Sequence, residues 1–147
     1  MTAEGAPYRH ADLQALRLGQ LEAMGYAGFA AFAASLRQRE QLPKLAYHFR
    51  KHGENCGADT EQRYRQLFLQ HIQRTDLRWF TTLRRKDQVG MWYLVAMDSG
   101  LVAQYNESRK QWWSFYRPDD LDKFLHSGHG WWVEVQLGEQ EAEFMRW

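Results

Sequence analysis

The sequence predicts an α+β fold, with N-terminal helices packed on one face of an antiparallel β-sheet, followed by a short helix and a C-terminal hairpin. Apolar residues recur at helical spacing through the first half of the chain, whereas from residue 77 short runs of aromatic and β-branched residues alternate with turn sequences. Helices followed by strands, without βα alternation, are typical of this class. We expect a single domain over residues 1–147, with N-terminal helices in 1–42, a core in 43–122 and an extension in 123–147.

Four helices are predicted before the sheet. The spacing of apolar residues, followed by Gly25, predicts a first helix over residues 11–24, and the same pattern predicts a second from Phe29 to Leu36. Pro43 permits a new start, and Gly53 is placed as the C-terminal cap of this third helix. The fourth helix follows a capping box of Asp59 and Gln62, and its expected buried face comprises Tyr64, Leu67, Phe68, His71 and Ile72.

The second half of the chain is predicted to form hairpins. Pro118 opens a short helix whose aspartates favour its N-terminal end. The predicted strands are residues 77–84, 89–97, 101–106 and 111–117, with a final hairpin formed by 131–137 and 142–147.

Basic residues are concentrated in the middle of the chain. Residues 1–36 carry 2 basic and 3 acidic side chains, residues 37–117 carry 15 and 8, and residues 118–147 carry 2 and 7. This asymmetry favours an anionic partner for the central segment, although scattered solvated charge would give the same counts.

The sequence also restricts the class of protein. The single Cys56 cannot form an internal disulfide, so a stapled secreted scaffold is not indicated. Residues 1–25 lack the pattern of a signal peptide, and no run reaches the ~18 apolar residues of a membrane span. We therefore expect a cytoplasmic site of action and no membrane partner.

A first candidate site lies in "HFRKH", where His48, Arg50, Lys51 and His52 fall within about one helical turn. Cleavage of RNA by its own 2′-OH needs a base, an acid and cations around the phosphorus, and it requires no metal or cofactor. Histidine suits both proton transfers. A polar helix end with basic residues is the structural alternative. Zinc binding by the two histidines and Cys56 is a second alternative. However, Gly53 should end the helix before Cys56, and the glutamate of an HExxH motif is missing.

A second candidate site lies in "WWSFYRP". Strand alternation places Ser114 and Tyr116 on one face and Phe115 and Arg117 on the other. A hydroxyl, a phenol and a guanidinium at the end of a sheet could hold a phosphate. The alternative is an aromatic strand that packs in the core and ends at proline.

These two segments resemble those of a known family. "YHFRKHGENCGADTEQRY" resembles an opening helix signature in which "HF-x-K-H-G" precedes a glycine and a helix carrying Tyr, and "SFYRP" resembles the closing strand. The family is the ribonuclease toxin domains of the barnase, EndoU, colicin and RelE-like group, found at the C-termini of contact-dependent inhibition and other polymorphic toxins. The resemblance covers about residues 44–122.

The resemblance implies helices over a sheet whose concave face binds RNA. It also implies a metal-independent endoribonuclease that acts on transfer RNA and is blocked by a cognate immunity protein. His48 and His52 would then be the acid and base, with Lys51 near the phosphate. Ser114 would take the place of the family's hydroxyl residue, and Arg117 that of its cation.

Two further hypotheses compete with catalysis. A non-catalytic immunity-like or adaptor domain would bind a protein through an exposed aromatic surface, formed by Trp112, Trp113, Trp131 and Trp132. RNA binding without cleavage would use the central basic segment together with aromatic stacking.

Overall fold

The predicted α+β class is confirmed by the structure, a computed structural model that describes residues 10–84, 86–126 and 131–135. The helices are α1 (His10–Ala23), α2 (Phe29–Arg37), α3 (Leu45–His52), α4 (Glu61–Ile72) and α5 (Leu121–Leu125). The strands are β1 (Arg78–Leu83), β2 (Gly90–Val95), β3 (Val102–Asn106), β4 (Gln111–Tyr116) and β5 (Trp131–Glu134).

The strands form one antiparallel sheet in the order β4-β3-β2-β1-β5. The hairpins predicted between consecutive strands are present from β1 to β4, and β5 adds to the other side of β1. The second arm of the predicted C-terminal hairpin, residues 142–147, lies outside the described residues. The register of β3 and β4 shifts so that Gln104 pairs with Ser114 and Tyr105 with Trp112, which leaves Trp113 as an extra residue of β4.

The N-terminal helices cover one face of the sheet through an aromatic core. Phe32 of α2 packs on Trp92 of β2 with ring centroids 4.8 Å apart, and Phe68 of α4 meets Trp112 of β4 at 5.4 Å. Alternation along each strand sends these rings to the same side. Burial of such large rings is the main favourable contribution to this face of the fold.

The opposite face of the sheet is covered as well. Phe124 of α5 packs on Tyr93 at 5.9 Å, and Trp132 of β5 packs on the same ring at 4.7 Å. All six residues of β2 are consequently buried. In the described residues, α5 and Trp132 thus cover part of the sheet face opposite the N-terminal helices.

Two predicted helix starts are wrong by one or more residues. Thr60, and not Asp59, is the N-cap of α4, because the Thr60 hydroxyl accepts a hydrogen bond from the Arg63 amide at 3.0 Å. Pro118 precedes α5 and is not in its first turn, since the Asp120 carboxylate caps the Lys123 amide at 3.0 Å.

A buried ion pair joins α1 to the sheet. The side chain of Arg17 is 1% exposed, and its Nη2 lies 2.5 Å from Glu107 Oε2. Arg17 Nε also donates to Thr81 Oγ1 at 2.9 Å, and Trp92 Nε1 donates to Glu107 at 2.6 Å. These bonds provide partners for the buried Arg17 guanidinium and for the Glu107 carboxylate, whose side chain is 13% exposed.

No helix in the described ranges combines the length and apolar character needed to cross a bilayer.

Candidate functional site

A cleft of about 590 Å³ lies between α3 and β4, one of the two outermost strands of the sheet that the described residues form. Its central residues, which define what we call the histidine cleft, are His48, Lys51 and His52 of α3, Gln104 of β3, and Ser114 and Tyr116 of β4. The cleft thus unites the two segments that the sequence singled out.

The position of α3 depends on Phe49, which faces away from the cleft. The Phe49 ring packs on Tyr64, with the ring centroids 6.1 Å apart. A Cβ atom placed on Gly53 would lie 2.5 Å from Phe49 Cδ1, so the Phe49 ring occupies space that a side chain at residue 53 would need. Gly53 is the C-cap of α3, as predicted, and its φ of −57° shows that close packing, not an unusual backbone angle, requires glycine there.

His48 and His52 point to the same side of α3 because they are four residues apart. Their ring centroids are 6.1 Å apart with the planes inclined by 13°. His52 lies 5.5 Å from the Tyr116 ring. Both imidazoles therefore face β4, one turn above the other.

Polar side chains of the sheet contact the histidines and one another. His48 Nδ1 lies 3.4 Å from Ser114 Oγ, a long hydrogen bond between two buried side chains. Ser114 is the cross-strand neighbour of Gln104, whose Oε1 accepts a hydrogen bond from the Tyr116 hydroxyl at 3.0 Å. The row of polar groups therefore starts at α3 and continues onto the sheet.

The charges around the cleft are positive. Lys44, Lys51 and Arg109 line it together with the two histidines, and no Asp or Glu is among its described lining residues. Such a surface attracts anions and repels cations.

Burial is the largest cause that lowers the pKa of His48, and Lys44 and Lys51 lower this pKa further by charge repulsion. Burial likewise lowers the pKa of His52, with additional repulsion from His48 and Lys51. Both imidazoles are consequently biased toward the neutral form, and an anion bound between them would oppose that bias.

Tyr116 contributes a neutral phenol to the cleft. Burial raises the pKa of its hydroxyl far above the ordinary value, and the nearby Tyr93 adds to this effect. The hydroxyl therefore remains a hydrogen-bond donor at physiological pH.

Five of the seven predicted site residues come together, and two arginines do not. Arg50 lines a separate surface recess with Phe49 and Glu54, because it leaves α3 on the side away from β4. Arg117 lines another recess with Glu54 and Asp119. It follows Tyr116 on the strand, so alternation turns it away from the cleft.

Several cleft residues were missed by sequence reasoning. Lys44 immediately precedes α3 and adopts a left-handed φ of 58°, and Arg109 and Trp113 belong to the β3–β4 hairpin. Gln104 carried a usable signal, because it is a polar residue within the otherwise apolar run "LVAQY". Trp113 was predicted only as part of an exposed aromatic surface, and Lys44 and Arg109 gave no signal, since their placement depends on turn geometry.

The structure also bears on the alternatives. The described residues hold no group of three His, Cys, Asp or Glu side chains arranged to bind a metal. Burial raises the pKa of the Cys56 thiol to about 11, which disfavours a reactive thiolate. Trp112 is 1% exposed and donates its Nε1 hydrogen to Arg39 O at 2.6 Å, so it cannot belong to an exposed aromatic surface.

Comparison with protein families, with curated proteins and with solved structures found no match in any of the three. The resemblance to ribonuclease toxin domains stays a prediction, carried by the two sequence segments and by the cleft that they form.

Proposed function

We propose that the protein is a metal-independent endoribonuclease that cleaves RNA by attack of the 2′-OH on the adjacent phosphate. The observation that carries this proposal is the pair of imidazoles, 6.1 Å apart, in a cleft lined by cations and hydroxyl groups. This is the set of groups that phosphodiester transfer requires.

In the proposed reaction, one imidazole removes the proton of the 2′-OH and the 2′ oxygen bonds to phosphorus. The bond from phosphorus to the 5′ oxygen breaks, and the second histidine, as imidazolium, gives its proton to that oxygen. The products are a 2′,3′-cyclic phosphate and a free 5′-OH. The two histidines together carry one ionising proton before the step and one after it. The histidine that acted as the base is therefore protonated at the end, and the one that acted as the acid is neutral.

The other cleft residues would bind the phosphate or orient the histidines. Lys51 neutralises charge on the phosphate. The Tyr116 phenol, whose single hydrogen is donated to Gln104 Oε1 at 3.0 Å, would position Gln104 beside the phosphate. Ser114 Oγ, at 3.4 Å from His48 Nδ1, fixes the orientation of the His48 ring so that Nε2 faces the substrate. Arg50 and Arg117, which lie outside the cleft, have no role in this step.

The substrate and inhibitor follow from the family resemblance and form part of the proposal. Transfer RNA is the expected substrate, and the cytoplasm is the expected site of action. A cognate immunity protein would block the histidine cleft by presenting carboxylates to Lys44, Lys51 and Arg109, a contact that the positive lining favours.

The test is incubation of the purified protein with total RNA and with transfer RNA in the presence of EDTA. We expect discrete fragments with 2′,3′-cyclic phosphate ends, and losses of about 10²-fold or more in His48→Ala and in His52→Ala. His126→Ala is the matched control, because this exposed histidine lies at the end of α5, outside the cleft. Intact RNA at micromolar protein would refute the proposal.

A further inference from the structure

A second pocket of about 290 Å³ continues from the histidine cleft across the sheet. Its aromatic wall, for which we call it the ring pocket, consists of Tyr93, Trp113, Tyr116, Phe124 and Trp132. Gln104, Trp113 and Tyr116 line both the ring pocket and the histidine cleft. A ligand bound in one would therefore meet the residues of the other.

The two sites lie along one row of paired residues. Ser114 pairs with Gln104 on β3, and Gln104 pairs with Tyr93 on β2. Two strand spacings of ~4.8 Å separate β4 from β2. A nucleotide covers a distance of this order from its phosphate to the far edge of its base. A phosphate held between the histidines would thus leave its base over the ring pocket.

The walls of the ring pocket suit a planar aromatic ligand. The rings meet edge to face, with Tyr116 and Phe124 at 5.8 Å and inclined by 76°, and Phe124 and Trp132 at 6.0 Å and inclined by 89°. Trp113, the extra residue of β4, is 42% exposed where the two sites join. Base stacking on such side chains contributes about 1–3 kcal/mol per base.

The side-chain amide of Gln104 can form hydrogen bonds with a nucleobase. Its Oε1 accepts from the Tyr116 hydroxyl at 3.0 Å, and its Nε2 donates to the Tyr93 hydroxyl at 3.4 Å. These contacts use one lone pair and one hydrogen, whereas a primary amide has two of each. The contacts hold the amide in a fixed orientation, and its remaining donor and acceptor are available to a ligand.

We propose that the ring pocket is a nucleobase subsite and that Gln104 makes the protein selective for one base next to the cleaved phosphate. This inference rests on the proposed function for its substrate class. It assigns to the chain a specificity determinant that lies on β3, away from both segments that suggested catalysis.

The test measures binding, by calorimetry, of the four nucleoside 3′-monophosphates, of ribose 5-phosphate and of inorganic phosphate. We expect at least one nucleotide to bind about tenfold more tightly than ribose 5-phosphate, as stacking predicts. We also expect the affinities of the four nucleotides to differ by about tenfold, which is the discrimination among bases that hydrogen bonds from one side-chain amide provide.

Gln104→Leu should reduce the difference among bases to about twofold or less, since a leucine cannot exchange hydrogen bonds with a base. The matched control is Gln111→Leu, which makes the same change at a residue that lines the histidine cleft alone. This control should weaken all nucleotides alike and preserve their ranking. Gln104→Glu, which keeps the shape of the side chain, should change the order of affinities among the four nucleotides. This variant replaces Gln104→Leu in the test if the leucine variant fails to fold.

Equal binding of the four nucleotides and ribose 5-phosphate, or no binding of any of them, would overturn the inference. The readout is independent of cleavage. Base-selective binding that depends on Gln104, with RNA left intact, would support the subsite and refute the nuclease. Cleavage without base selectivity would refute the subsite and support the nuclease.

Discussion

Among the single residues of the histidine cleft, the cations differ in which imidazole they affect. Lys51 lowers the pKa of both His48 and His52, whereas Lys44 contributes to lowering the pKa of His48. The two lysines therefore provide a means of separating the two histidines in a pH profile.

For the proposed cleavage of RNA, we expect the plot of kcat/KM against pH to be bell-shaped, with its maximum on the acid side of 6.5, the ordinary histidine value. Lys51→Gln removes a repelling charge from both imidazoles, so both limbs should move to higher pH. Lys44→Gln should move mainly the limb that belongs to His48. If the acid limb moves, His48 is the base; if the alkaline limb moves, it is the acid. Limbs that stay in place in both variants would contradict the assignment of the histidines.

His71 gives a prediction about stability. Burial lowers the pKa of His71 to about 4, although its hydrogen bond with the Leu94 carbonyl at 2.8 Å partly opposes this change. The unfolded chain takes up the proton near pH 6.5, so stability is unaffected above that value and falls by roughly 3 kcal/mol as pH drops to 4.

His71→Gln keeps a donor for Leu94 O and removes the titration. Chemical unfolding at pH 7 and at pH 4 should therefore show a smaller loss of stability for this variant than for the wild type. An equal loss in both proteins would mean that His71 does not cause it.

Among the helices and strands, the position of α3 depends on the packing of Phe49 over Gly53. Gly53→Ala would place a methyl group 2.5 Å from Phe49 Cδ1, which forces the ring or the helix to move. We expect a loss of about 1–3 kcal/mol in the free energy of unfolding, together with a reduction of the proposed ribonuclease activity.

Gly19→Ala is the matched control for this change. Gly19 lies in α1 and is exposed, and a methyl group added there would meet no atom within 4 Å. Alanine at this position should stabilise the protein by up to about 1 kcal/mol, because glycine is a poor helix former. Similar effects of the two substitutions in thermal unfolding would show that packing of Phe49 is not the cause.

Across the molecule as a whole, the Arg17–Glu107 pair connects the first helix to a hairpin 90 residues further along the chain. Removing one partner leaves the other charge buried, so Arg17→Leu and Glu107→Leu should each cost about 3–5 kcal/mol. The double variant should lose much less than the sum of the two. Additive losses in denaturant unfolding would show that the charges are not coupled.

Much of this architecture could be predicted from the sequence, because local periodicity determines it. The strand from Gly90 to Val95 lies within the predicted 89–97, and α1 begins and ends one residue before the prediction. The start of α4 was missed because Thr60 and Asp59 are both good N-caps, and the choice depends on which side chain reaches the amide of the first turn.

The candidate site was predictable only in part. Residues on one helix face, such as His48 and His52, follow from spacing, and Ser114 and Tyr116 follow from alternation. The exclusion of Arg50 depends on how α3 lies against β4, which is a tertiary contact, whereas the exclusion of Arg117 follows from strand alternation. The covering of the second sheet face by α5 was likewise not visible in the sequence, because a five-residue helix carries too little periodicity to show where it docks.

The packing of α3 against β4 also has a consequence for solubility. An outermost strand whose backbone is left uncovered can pair with another chain, and this is a common route to aggregation. The helix that carries both histidines lies against that strand. Substitutions that loosen α3 should therefore cause self-association as well as loss of the proposed activity, whereas substitutions confined to the imidazoles should abolish the proposed activity without causing self-association.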